Sequence, residues 1–175
     1  GGCTGQEKAC CGFVVRGGVL KLEDASMLKG FGLTENVSVV FLCQDQPYQG
    51  GLLIMNGGRI QDNFFFNKDH LSKCSVVSIV DVGYFEMKSG AIVNLRGDYH
   101  VSYLRGQGDS SILSWGGGVI GDNGDGWIQS NGGFFRIEGT SGAILQPIHL
   151  TDKESYISLS HPLNEQLVFY KESFT

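Results

Sequence analysis

The chain has 175 residues, long enough for one domain with a substantial core and too short for two of ordinary size. Its net charge is −5 with an isoelectric point near 5.3, and its 13 Lys and Arg residues are scattered, so no basic stripe exists to neutralise a phosphate backbone and nucleic acid is excluded as a partner class. The longest apolar runs, VSVVFL and LLIM, fall far short of the roughly 20 residues that cross a bilayer as a helix, so membrane insertion is not expected.

Residues 1–11 read as a flexible lead-in that carries Cys3, Cys10 and Cys11. With Cys43 and Cys74 the cysteines make an odd set of 5, without CxxC pairs or the Cys/His spacing of a zinc site, and their redox state is left open. From residue 12 the chain is a succession of short stretches rich in Val, Ile, Phe and Tyr: GFVVRGGVLKL, VSVVFL, GLLIM, SVVSIVDVGYFEM, AIVNL, YHVSYL, SILSW, GWIQS, GFFRIEG and AILQPIHL. Gly, Asn, Asp or Ser bounds each one, which is the pattern of strands joined by tight turns. LEDASMLKG and NKDHLSK each have room for a turn or two of helix. Past residue 148, Pro162 followed by Leu163, Leu167, Tyr170 and Phe174 has helical spacing, with a strand through QLVFY as the alternative. The expectation is a single all-β domain with a β core over 12–148, a C-terminal extension over 149–175 and at most one C-terminal helix. The opening GGCTG and closing ESFT read as cut points of a longer chain.

Glycine is the compositional outlier at 27 residues, and small-residue pairs recur ahead of apolar runs: Gly17-Gly18, Gly50-Gly51, Gly57-Gly58, Ser89-Gly90, Gly132-Gly133 and Ser141-Gly142. Phrases such as GGLLIMNGGRIQDN, over roughly residues 12–148, resemble the rungs of right-handed parallel β-helix modules, as in bacterial surface passenger domains and phage tail fibres. That resemblance implies a short β-solenoid. An antiparallel β-sandwich or barrel accounts for the same strands with Gly-rich hairpins in place of rung corners.

Several motifs invite chemistry. Gly116-Gly117-Gly118-Val119-Ile120-Gly121 matches GxGxxG, but DNGDG follows where a dinucleotide site needs a helix, and no Walker-type phosphate loop is present, so no cofactor is expected. Asp122, Asn123 and Asp125 offer hard oxygen ligands for calcium, yet Gly132 stands near the place where an EF-hand loop needs its bidentate Glu, and a turn between strands explains the same residues. GDS and SWG are phrases of chymotrypsin-like serine proteases, for which His70 or His100, Asp81 or Asp98 and Ser110 or Ser111 would have to form a triad. Here Gly-Asp-Ser-Ser replaces the glycine-closed oxyanion turn, which argues against it. For a glycan-active hydrolase or lyase the paired carboxylates would come from Asp98, Asp109, Asp122 and Asp125, on or beside successive strands. Arg96-Gly97-Asp98 is an integrin-type tripeptide between two strand candidates, suited to a hairpin tip, and Asn36-Val37-Ser38 is a glycosylation sequon.

Aromatic residues carry a separate message. Consecutive rings in NFFFN (Phe64, Phe65, Phe66) and GFF (Phe134, Phe135) fall on opposite faces of a strand, so some must be covered by a second sheet, a subunit or a ligand. Trp115, Trp127, Tyr99 and Tyr103 are the candidate ligand-binding residues, a wall on which sugars would stack. Together these features point to a non-catalytic structural and recognition module of a larger surface or viral assembly. Its expected partners are protein or glycan, with homo-oligomerisation or burial within a larger parent chain. Extracellular, cell-surface or virion placement is expected over cytoplasmic, and the glycan-active enzyme is the alternative.

Overall fold

A computed structural model of the chain describes residues 12–34, 38–46, 49–66, 75–97, 100–105, 111–121, 127–161 and 169–171. These residues are all-β, without a helix. The chain lays down β1 (Phe13–Arg16), β2 (Val19–Leu22), β3 (Met27–Lys29) and β4 (Gly32–Thr34), and then a second set in the same order. That set is β5 (Ser38–Gln46) with its short partner β6 (Gln49–Gly50), β7 (Leu52–Gln61) and β8 (Phe64–Phe66). The third is β9 (Ser75–Val80), β10 (Tyr84–Val93) and β11 (Arg96–Gly97). β12 (His100–Arg105), β13 (Ile112–Trp115) and β14 (Val119–Gly121) follow, then β15 (Trp127–Asn131), β16 (Phe134–Ile137) and β17 (Ala143–Ile144). The last strands are β18 (Ile148–Leu150), β19 (Tyr156–Leu159) and β20 (Phe169–Lys171).

Each set contributes to the first two sheets, and the first three sets also to a third. The first sheet runs β1-β5-β9-β12-β15-β18-β20, with β6 beside β5. The second holds β2 and β3 on β7, then β10, and beyond it β13-β16-β19 and β14-β17; β11, β8 and β4 form the third. Among the described residues every pairing is parallel except β5 with β6, so the antiparallel alternative does not describe this chain. The physical reason is that strands neighbouring in space are separated by the whole intervening set, whereas antiparallel neighbours need only a hairpin. Residues 22–27 of LEDASMLKG pass from β2 to β3 without a helical turn, and Phe169–Lys171, which begins at the end of QLVFY, is a strand paired with Ile148–Leu150; Pro162, Leu163, Leu167 and Phe174 of the helix alternative lie outside the described residues. Pairing thus continues past residue 148 into what the sequence suggests is an extension. NKDHLSK lies outside the described residues.

Register and pleat build the core. Leu53, Phe85, Leu113 and Phe135 occupy matching positions of β7, β10, β13 and β16, and all are fully buried. Met55, Met87, Trp115 and Ile137 form the next inward row, and Ile60, Ile92, Ile120 and Ile144 a third. From the first sheet Val40, Val77, Ile128 and Ile148 close on the same cluster. Burying a side chain of this kind stabilises the fold by about 1.5–3 kcal/mol, so rows of identical character are the main source of stability.

Corners are the second repeated device. Gly58, Gly90, Gly118 and Gly142, each directly before an in-register residue of β7, β10, β14 and β17, all have positive φ. A Cβ at Gly90 would come within 2.6 Å of the Gly58 carbonyl oxygen, and one at Gly142 within 2.1 Å of that of Gly118. Of the recurring small-residue pairs, Gly57-Gly58, Ser89-Gly90 and Ser141-Gly142 therefore mark places where one backbone corner seats on the carbonyl of the last. A second left-handed position recurs at Gly30, Asp62 and Asn94, where Asn and Asp tolerate the conformation better than other side chains. Here the Gly30 amide donates to the Asp62 carbonyl and the Asp62 amide to that of Asn94, both at 3.2 Å. Asn94 Nδ2 and Gln61 Nε2 both donate to the Asp62 carboxylate. Beside this corner, fully buried Asn63 accepts the Phe31 amide at 3.0 Å.

Candidate recognition surface

The pleat that turns Ile128 and Ser130 inward turns Trp127 and Gln129 of β15 outward, and His149 of β18 lies in register with Gln129. All three outward residues are half-buried. The indole of Trp127 stacks on the His149 imidazole, with ring centroids 5.6 Å apart and planes 20° from parallel. Trp127 Nε1 donates to Gln129 Oε1 at a long 3.5 Å, and Gln129 Nε2 donates to Thr151 Oγ1 at 3.2 Å. Thr151 Oγ1 in turn donates to the Ser130 carbonyl at 3.1 Å, an oxygen that also accepts from Ser155 Oγ at 2.8 Å. Side chains at the surface are thereby tied to backbone in the interior. The result is a small shelf: two aromatic rings, one amide and one hydroxyl, held in place by the sheet beneath.

The row containing this shelf crosses the first sheet. Phe41, Ser78, Gln129 and His149 occupy it, and the backbones of Tyr103 and Tyr170 lie at the same register between and beyond them. Such a surface offers a CH/π face together with amide and hydroxyl partners, the combination that accommodates the apolar face and polar rim of a pyranose.

The structure separates the two tryptophans expected on a stacking wall. Trp115 has the parity of Leu113 along β13, which turns its indole into the core at 3% exposure, and it is unavailable to a surface ligand. Trp127 is on the outward face, and Tyr103 shares its sheet. Tyr99 lies outside the described residues, as do Asp98, Asp109, Asp122, Asn123 and Asp125. Among the described residues no group of three or more His, Cys, Asp or Glu side chains is placed to hold a metal ion, and no helix is long and apolar enough to cross a membrane. Ser111, a candidate nucleophile, is fully buried and donates its Oγ to the Asp81 carbonyl at 2.6 Å, a corner-stabilising role. Arg96 and Gly97 lie in β11 paired with Phe64 and Phe65 of β8, where a hairpin tip was expected. Of the paired phenylalanines, Phe135 is core, Phe134 is 7% exposed beneath Tyr156 and Arg136 of its own chain, and Phe64 stays 43% exposed.

Sequence reasoning passed over His149 because no metal spacing surrounds it. The signal that finds it is the likeness of Ile128-Gln129-Ser130 to Ile148-His149-Leu150, two short β phrases that the fold places side by side. No family model, curated protein or solved structure matches this chain.

Proposed function

We propose that this chain is a short β-solenoid that acts as a non-catalytic recognition module within a larger surface assembly, with a neutral glycan as its ligand. The repeated visit to the same sheets in the same order, with glycine corners stacked on one another, supports the solenoid reading. The observation that carries the recognition reading is the stacked Trp127–His149 pair beside the Gln129–Thr151 hydrogen bond on an outward sheet face. Stacking contributes apolar contact with pyranose C–H groups, while the amide and hydroxyl exchange water for sugar hydroxyls at little cost because their positions are already fixed.

Titration calorimetry against a panel of neutral oligosaccharides tests this. Binding should weaken at least 10-fold in Trp127→Ala and several-fold in Gln129→Ala, and it should be unaffected by Asp98→Asn or Asp122→Asn. New reducing ends that disappear in Asp98→Asn would establish the glycan-active enzyme instead. Binding that is equal in Trp127→Ala and the parent chain would remove the shelf from the account.

A further inference from the structure

The outward face of the second sheet carries an apolar row as regular as those of the core. Val19, Leu52, Tyr84, Ile112, Phe134 and Tyr156 follow one another in register across β2, β7, β10, β13, β16 and β19. Val19 and Tyr156, at its two ends, are 57% and 39% exposed. Further along the strands the same face continues through Ala91, Val119 (37% exposed) and Ala143. Phe134 is covered by Tyr156 and Arg136 of its own chain and the middle of the row is partly exposed, yet monomeric proteins seldom leave the remainder of such an apolar face in water.

We propose that a second copy of this chain covers the face, related by a two-fold axis that lies in the interface, runs parallel to the strands and passes between β10 and β13. The order of side chains argues for this partner. That axis sets Tyr84 opposite Ile112 of the second copy, Leu52 opposite Phe134 and Val19 opposite Tyr156. Tyr84 and Tyr156 then each meet an aliphatic side chain, and the reciprocal contacts are made by symmetry, as a two-fold interface requires.

The adjoining outward row is Lys21, Ile54, Glu86, Ser114, Arg136 and Ser158. The same axis places Lys21 opposite Ser158 and Arg136 opposite Ile54, and it brings Glu86, which Lys88 pairs at 3.4 Å, opposite Ser114, whose Oγ donates to Glu138 at 3.0 Å. Arg59 likewise faces Ala143, and Ala91 faces Val119. Area agrees as well. Six strands at about 4.8 Å spacing and strands of up to about 30 Å give a face on the order of 700 Å² per copy, which is in the range of stable specific interfaces.

Sedimentation equilibrium over micromolar to millimolar concentrations tests the proposal. The parent chain should dimerise, and Val119→Glu should raise the dissociation constant at least 100-fold, with the circular dichroism spectrum and melting temperature of the monomer unchanged; Tyr156→Glu should weaken the dimer as much, with a lower melting temperature because it uncovers Phe134. Trp127→Ala, on the other sheet, should dimerise like the parent. The axis has its own signature: an Ala91→Lys chain mixed with a Val119→Glu chain should form heterodimers in low salt, whereas Val119→Lys mixed with Val119→Glu should not. A parent chain that stays monomeric to millimolar concentration overturns the proposal, and so does a dimer indifferent to both glutamate substitutions. Preferential pairing of the two residue-119 variants would overturn the axis.

Discussion

A Cβ at Gly118 would stand 2.7 Å from the carbonyl oxygen of Gly90, at a backbone position where φ is +86°. The two glycines belong to successive corners of the second sheet, and their contact lets β10 and β14 approach to hydrogen-bonding distance. Gly118→Ala should therefore destabilise the chain through both strain and steric overlap. A non-glycine residue held at positive φ alone costs about 1–3 kcal/mol. For a chain of this size that is a fall in melting temperature of about 2–4 °C per kcal/mol. Gly116→Ala is the control: its Cβ would find the Met87 carbonyl at an ordinary 3.5 Å, and the melting temperature should scarcely move. Equal losses in the two variants would show that the stacked corner has no special role.

Trp115 presents the opposite case, a side chain that fits the core but brings an unsatisfied polar atom with it. Its indole Nε1 is buried without a hydrogen-bond partner, among Met87, Ile137 and their neighbours. Leaving such a donor unpaired costs about 1–3 kcal/mol, which Trp115→Phe would recover while giving up some packing volume. The expected outcome is a variant within about 1 kcal/mol of the parent in urea denaturation, against a loss of about 3–5 kcal/mol for Trp115→Ala. A Phe variant as damaged as the Ala variant would mean that the nitrogen is satisfied by ordered water.

Asn63 is buried and useful. Its Oδ1 accepts the Phe31 amide at 3.0 Å and its Nδ2 donates to the Leu28 carbonyl at 3.4 Å, tying the corner after β7 to β3 and to the corner that follows it. Asn63→Leu fills similar volume but strands two backbone groups. It should cost about 2 kcal/mol or more, with early loss of amide-exchange protection at Phe31. Protection at Phe31 unchanged in the variant would contradict this link between corners.

Ser111 tests the serine-hydrolase pattern directly. Because its Oγ is buried and donates to the Asp81 carbonyl, a fluorophosphonate probe should not label it. Ser111→Ala should cost about 1 kcal/mol of stability, the usual net worth of one hydrogen bond. Stoichiometric labelling lost in Ser111→Ala would restore a catalytic reading.

Local chemistry alone determined that the chain is β throughout the described residues. Runs such as VSVVFL and GLLIM favour the pleated backbone, and glycine or serine pairs interrupt them because only small residues accept the corner conformations. Asp62 and Asn94 hold left-handed positions that the sequence pattern did not single out, where their side chains tolerate the turn. The tertiary structure decided what period-two alternation leaves open. Alternation assigns Leu113 and Trp115 to one face and Trp127 and Gln129 to another, but only pairing with neighbouring strands shows that the first face is core and the second is surface. Parallel pairing is what the β-helix resemblance implies, but the spacing of the pairs was hidden, since the interval from Leu53 to Phe85 is longer than that from Phe135 to Ile157 and the irregular connections blur any fixed repeat. Trp127 and His149 become neighbours through that pairing: each residue taken singly is an ordinary aromatic or imidazole, and their stacked geometry exists only once β15 and β18 share hydrogen bonds.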